Sequence, residues 1–115
     1  METPDAVEAL SALSQESRLQ VFRLLVEAGP DGMQAGQIAT ALDLLPNTLT
    51  FHFDRLRHAA LVTVRREGRS MIYAARFETM NDLIAYLTKN CCGGETQKCA
   101  PKKKATRRKE PATTR

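Results

Sequence analysis

The apolar positions of the chain fall into five stretches of helical spacing and one pair of alternating stretches. In "TPDAVEALSAL", Val7, Leu10 and Leu13 line one face; Thr3 can serve as N-cap and Pro4 as the first helical residue, where a missing N–H costs nothing. Ser14 offers a second N-cap, and "QESRLQVFRLLVEAG" follows with Leu19, Phe22, Leu25 and Val26 in a wide stripe, stopped by Gly29 and Pro30. "QAGQIATALDL" predicts a short third helix with Ile38 and Leu42 inward, and "LLPN" breaks it. "NTLTFHFDRLRHAA" predicts a fourth helix, with Leu49, Phe53 and Leu56 at i, i+4, i+7. The period then changes from helical to alternating. "LVTVRRE" and "RSMIYAA" read as two strands joined around Glu67-Gly68, a hairpin signal. "FETMNDLIAYLTKN" returns to helical spacing, with Met80, Leu83, Ile84 and Leu87 on one face. After Asn90 the periodicity stops, and "APKKKATRRKEPATTR" has the composition of a disordered polar tail.

The order is α-α-α-α-β-β-α, mainly α with a β-hairpin. A short helix, a tight turn, a polar-faced helix and a basic hairpin predict a winged helix-turn-helix. Residues 1–90 would form the DNA-binding and dimerisation domain, and residues 91–115 a cysteine-containing segment with a basic tail. The first and last helices flank the core, and their apolar stripes need a partner. The simplest is a homodimer in which Val7, Leu10, Leu13, Met80, Leu83, Ile84 and Leu87 meet their copies across a two-fold axis.

Length and charge narrow the function. A chain of 115 residues makes one small domain, too small to enclose a large substrate cavity. It contains no run of about 18 apolar residues, so no membrane partner is expected. The acidic, apolar start lacks the basic residues of a secretory signal, which predicts a cytoplasmic protein with reduced thiols. The net charge of +4 is unevenly spread: residues 1–48 carry −5, residues 49–76 carry +4, and residues 91–115 carry +6. Basic charge concentrated in one internal segment and a tail points to a polyanion.

The fourth helix and the hairpin hold the groups that could read DNA. Outside its apolar stripe that helix presents Thr48, Thr50, Phe51, His52 and Arg55, with Asn47 and Thr48 at its N-terminus, where a phosphate is favoured. Phe51 could touch a thymine methyl, and the polar groups suit base edges or phosphates. Arg65, Arg66 and Arg69 bracket the hairpin tip and suit backbone contacts or a minor groove. A charged, solvated helix and hairpin is the plainer alternative. A winged-helix interaction module or RNA binder with sequence-blind affinity from its tail is another. His52 and His58 point about 120° apart and do not chelate together, and no Ser/His/Asp or Cys/His set suggests an enzyme.

The segments "ALSQESRLQVFRLLVEAG" and "QIATALDLLPNTLTFHFDRLRHAALVTVRREGRSMIYAAR" resemble the second helix and the helix-turn-helix with wing of the ArsR/SmtB repressors, in family order across residues 6–90. The resemblance implies a homodimer that binds double-stranded operator DNA at an imperfect inverted repeat and is released by an inducer. It places Asn47, Thr48, Thr50, His52 and Arg55 at the recognition-helix contacts. Asp43 stands where a turn glycine is common in helix-turn-helix proteins, and Asp tolerates the left-handed conformation better than most residues. Two sensor positions of the family lack their ligands here: the helix before the turn has no cysteine, and the last helix has Glu78 and Asp82 but no histidine.

That leaves "NCCGGETQKCAPKKK", with Cys91, Cys92 and Cys99. Adjacent cysteines have Cα atoms about 3.8 Å apart, too close for an ordinary disulfide. Both can turn to one centre, and Gly93-Gly94 lets the chain fold back to bring Cys99. Three thiolates suit a soft three-coordinate ion such as arsenite or antimonite, whereas zinc would need a fourth ligand. The arsenite-responsive members of the resembled family carry a similar trio after the last helix. A redox switch pairing Cys91 or Cys92 with Cys99, and three incidental tail thiols, are the alternatives. Lys98 and the lysines beyond it would favour thiolates in either chemistry.

Overall fold

The computed structural model describes residues 1–94. Helix α1 (Thr3–Leu13) and helix α2 (Glu16–Ala28) lead into a two-residue strand β1 (Met33–Gln34). Helices α3 (Ala35–Leu42) and α4 (Pro46–His58) follow, then strands β2 (Val62–Glu67) and β3 (Ser70–Ala75) and helix α5 (Phe77–Thr88). An irregular turn, Cys91–Gly94, with Cys92 and Gly93 in the left-handed region, closes the described chain. The predicted order holds, with one added strand. The sheet runs β1-β3-β2, antiparallel throughout, and Met33 pairs with Tyr73. Two residues are too few to show an alternating pattern, so β1 exists only because β3 offers it an edge.

Boundaries shift by single residues where capping decides them. Helix α1 is capped by Glu2, whose backbone N–H donates to the Asp5 carboxylate at 3.0 Å, so Thr3 lies inside the helix. Ser14 closes α1, donating its hydroxyl to the Ser11 carbonyl, and Gln15 caps α2 by accepting from the Arg18 N–H at 2.8 Å. Asp43 ends α3 in the left-handed region (φ 54°), as the turn requires. In the hairpin Glu67 pairs with Ser70, so Gly68 and Arg69 form the two-residue turn, with Gly68 at φ +62°. Glycine in the first central position matches a type II′ hairpin turn.

The core is built on α2 and α4. Val21, Phe22 and Leu25 of α2 meet Leu49, Phe53 and Leu56 of α4, with Ile38, Leu61, Val62 and Leu83 around them. The Phe53 ring lies on Tyr73 of β3 at 3.6 Å between centroids, which fixes the hairpin to α4. Helix α1 buries its alanine stripe, Ala6, Ala9 and Ala12, and not its larger residues. Val7 and Leu10 stay exposed and Leu13 is half-buried against the core. Small residues let two helix axes approach closely, and an alanine face of this kind is hidden from a search for large apolar side chains. In α5, Leu83 was expected at the subunit face, but it is buried in the chain's own core, with Met80 packed beside it; Ile84 and Leu87 remain exposed. No helix among the described residues is long and apolar enough to cross a membrane.

Candidate nucleic-acid interface

Helix α4 buries Leu49, His52, Phe53 and Leu56, which fixes what its opposite face presents. Asn47, Phe51, Asp54 and His58 recur along that face, all exposed, with Thr50 and Arg57 on one flank and Thr48 and Arg55 on the other. The N-cap, Leu45, has no side-chain acceptor, and Pro46 is the first helical residue. The N–H groups of Asn47 and Thr48 therefore have no side chain to cap them, which suits a phosphate at the positive end of the helix dipole. Thr50 donates its hydroxyl to the Pro46 carbonyl at 3.0 Å, leaving its oxygen to accept from a base rather than to donate to a phosphate.

His52 does not face DNA. It is 5% exposed, on the inward side of α4, and its Nδ1 lies 3.4 Å from Arg18 Nη1. A guanidinium only donates, so Nδ1 accepts and the ring proton resides on Nε2. Burial first, and the Arg18 charge second, hold the imidazole pKa below its ordinary value. Helical spacing explains the correction: His52 is three residues after Leu49 and four before Leu56, within the same buried stripe. Its polarity suggested solvent, whereas the angle decided burial. Asp54 shows the opposite error. It stands at the centre of the exposed face, 3.5 Å from Arg57, and can accept from a cytosine amino group. The same spacing argument would have found it.

The wing arginines divide. Arg65 donates from Nε to Glu67 at 2.8 Å and from Nη2 to the Asp31 carbonyl at 2.9 Å, tying β2 to the loop before β1. Arg66 donates to the Gly68 carbonyl at 3.2 Å, and Arg69 sits in the turn itself. Arg66 and Arg69 thus frame the tip, while Arg65 braces the base of the wing.

At the end of α5 the Sγ atoms of Cys91 and Cys92 lie 3.8 Å apart, with Cys92 in the left-handed region (φ 56°). The left-handed turn brings neighbouring side chains together, which an extended backbone would send to opposite sides. Cys99 lies outside the described residues, as does the basic tail. Among the described residues no group of three His, Cys, Asp or Glu side chains is placed to hold a metal ion.

A trihelical core, a recognition helix with an uncapped, exposed N-terminal turn, and an arginine-tipped hairpin define a winged helix-turn-helix, a DNA-binding class of protein. Comparison with known proteins agrees. The model of a helix-turn-helix domain family matches residues 13–65. The HTH-type transcriptional regulator YceK of Bacillus subtilis is 30% identical over 77 residues, 67% of this chain and 76% of YceK. The transcriptional activator HlyU of Vibrio cholerae is 28% identical over 87 residues, 76% of this chain and 78% of HlyU. Its structure, described as reduced HlyU, superposes with a TM-score of 0.61 at 26% identity, covering 78% of this chain and 92% of that one. The homodimeric winged helix-turn-helix DNA-binding domain Mb0332 of Mycobacterium bovis, described as a possible ArsR-family regulator, gives a TM-score of 0.62 at 25% identity. That match covers 84% of this chain and 85% of the other. The chain belongs to the helix-turn-helix transcriptional regulators, of the ArsR/HlyU winged-helix type.

Proposed function

We propose that this regulator is a homodimeric repressor that binds an inverted-repeat operator and releases it when trivalent arsenic or antimony binds Cys91, Cys92 and Cys99. The observation that carries the sensor reading is the pair of thiols 3.8 Å apart, two residues beyond Lys89, the C-cap of α5. Exposed apolar residues support the dimer: Val7 is 59% exposed, Ile84 53% and Leu87 57%, on the two terminal helices. Mb0332, a homodimer, shares this fold. Two recognition helices about 34 Å apart would then enter successive major grooves.

Three thiolates would supply the soft ligand set that arsenic(III) and antimony(III) favour. Cys91 and Cys92 adjoin α5 directly, so drawing them toward Cys99 constrains the end of the helix that bears Ile84 and Leu87. A coupling of about 3 kcal/mol between sensor and operator weakens DNA binding about 150-fold, and operator DNA weakens inducer binding by the same factor. A thiol redox response pairing Cys91 or Cys92 with Cys99 is the second reading, favoured by the relative whose reduced form is distinguished.

Operator binding followed by fluorescence anisotropy, titrated with arsenite, antimonite, zinc and peroxide, separates the readings. Cys91→Ser, Cys92→Ser and Cys99→Ser should each keep DNA affinity and lose arsenite release. Normal release by all three variants would discard the site. Release by peroxide, reversed by a reductant and absent with arsenite, would establish the redox reading.

A further inference from the structure

Arg18 is 8% exposed, and no carboxylate among the described residues pairs with it. Its Nε donates to the Ala12 carbonyl at 2.7 Å, in the last turn of α1. That carbonyl is one of the orphan acceptors at a helix C-terminus, where a cation is favoured by the dipole. Its Nη1 meets His52 Nδ1, and its Cζ lies 5.9 Å from the centroid of Phe51, an exposed ring on the reading face of α4. One guanidinium therefore touches three helices: it belongs to α2, caps α1 and grips two successive residues of α4. Burial, and secondarily the Arg55 charge, hold its pKa below the ordinary value.

A buried cation without a counter-ion is costly, and an apolar side chain at this position of the α2 stripe would pack more simply. What Arg18 supplies instead is geometry. Its planar fork gives two divergent donors and a flat face, which a lysine ammonium cannot reproduce. We propose that Arg18 is a positioning residue for DNA recognition: by capping α1 and gripping Phe51 and His52 it fixes the rotation of α4 about its own axis, and with it the sequence selectivity of the protein. The inference rests on α4 being the DNA-reading helix. Arg18 acts through Phe51 and His52, so its loss impairs discrimination between sequences and leaves sequence-blind affinity in place.

The test uses the full chain, a duplex selected by the wild-type protein from a randomised library, and a scrambled duplex of the same composition. Affinities for both are measured by anisotropy at fixed salt. Arg18→Lys keeps the charge and loses the fork. It should bind the scrambled duplex with unchanged affinity and lose about tenfold to a hundredfold in preference for the selected one, the scale of one good base contact. His52→Gln retains a side-chain acceptor for Arg18 and should stay within about threefold of wild type, whereas His52→Leu should fall with Arg18→Lys. If Arg18→Lys does not fold, the His52→Gln and His52→Leu pair carries the test, because His52 is buried and does not face DNA. An Arg18→Lys protein with wild-type preference would overturn the proposal. So would an equal loss on both duplexes, which would make Arg18 a phosphate contact, or equal behaviour of the two His52 variants. A wild-type chain that selects no sequence at all would instead remove the DNA-reading assignment of α4.

Discussion

Arg18 Nη1 stands 3.4 Å from His52 Nδ1 beneath the recognition helix, a buried cation against an imidazole that must stay neutral to receive it. Protonation would turn the acceptor into a donor aimed at a donor, in a buried place beside the Arg18 charge. The folded protein thus holds the His52 pKa below that of the unfolded chain, and the unfolded chain takes up the proton first as pH falls. Stability from neutral His52 is fully present above about pH 6.5 and is lost as pH drops from there toward the lower folded value. Thermal unfolding measured from pH 8 to pH 5 should show a falling Tm below about pH 6.5. His52→Gln should flatten that decline, and an equal slope in both proteins would exclude His52 as its source.

Gly32 precedes β1 with φ +75°, and a Cβ there would lie 2.3 Å from the Tyr73 carbonyl oxygen. Gly32→Ala is expected to lose about 1–2 kcal/mol from the left-handed backbone alone. Further loss comes from separating β1 from β3. Denaturant unfolding reads the total; a change under about 0.5 kcal/mol would mean the loop relocates without penalty.

Leu56 is fully buried in the core, on the inward side of α4. Leu56→Ala removes that packing and should destabilise the fold by about 2–5 kcal/mol. Operator affinity measured below the new Tm should change much less, because Leu56 lies opposite the reading face.

Arg69 and Arg65 should behave differently despite their proximity. Arg69→Ala is expected to weaken binding to selected and scrambled DNA alike and to reduce the slope of log affinity against log salt by about 1. Arg65→Ala breaks the tie from β2 to the Asp31 carbonyl and should act on the wing's placement, with little change in salt slope. Salt titrations of both variants decide it, and identical slopes would show that Arg65 reaches a phosphate as well.

Ile84 and Leu87 lie one turn apart on the exposed side of α5. Ile84→Glu places a charge in the proposed subunit contact and should yield monomers in sedimentation velocity, with loss of operator binding at nanomolar concentration. Persistence of the dimer would move the interface elsewhere.

Much of this protein was legible in the residue pattern. The helical period of Leu49, Phe53 and Leu56 placed α4 and its core contact correctly, and the alternation around Gly68 placed the hairpin. Asp43, singled out as a left-handed turn residue, adopts that conformation. Polarity misled at His52, because a polar side chain on a buried stripe looks like solvent-facing chemistry until its partner is known. That partner, Arg18, is 34 residues away in sequence. Leu83 was misassigned because α5 has two apolar faces close together, one for its own core and one exposed.

The sequence by itself determined the period of each main element, the order that makes a winged helix, the concentration of positive charge in its second half, and the cysteines after the last helix. These are local properties, set by spacing and composition. Only the tertiary structure decided which of two candidate faces each helix buries. It showed that α1 docks through alanines, that β1 joins the sheet, that Arg65 braces while Arg69 projects, and that Arg18 reaches both α1 and α4. Those choices depend on how closely backbones approach and on which distant donor meets which acceptor, quantities that arise only when the chain folds back on itself.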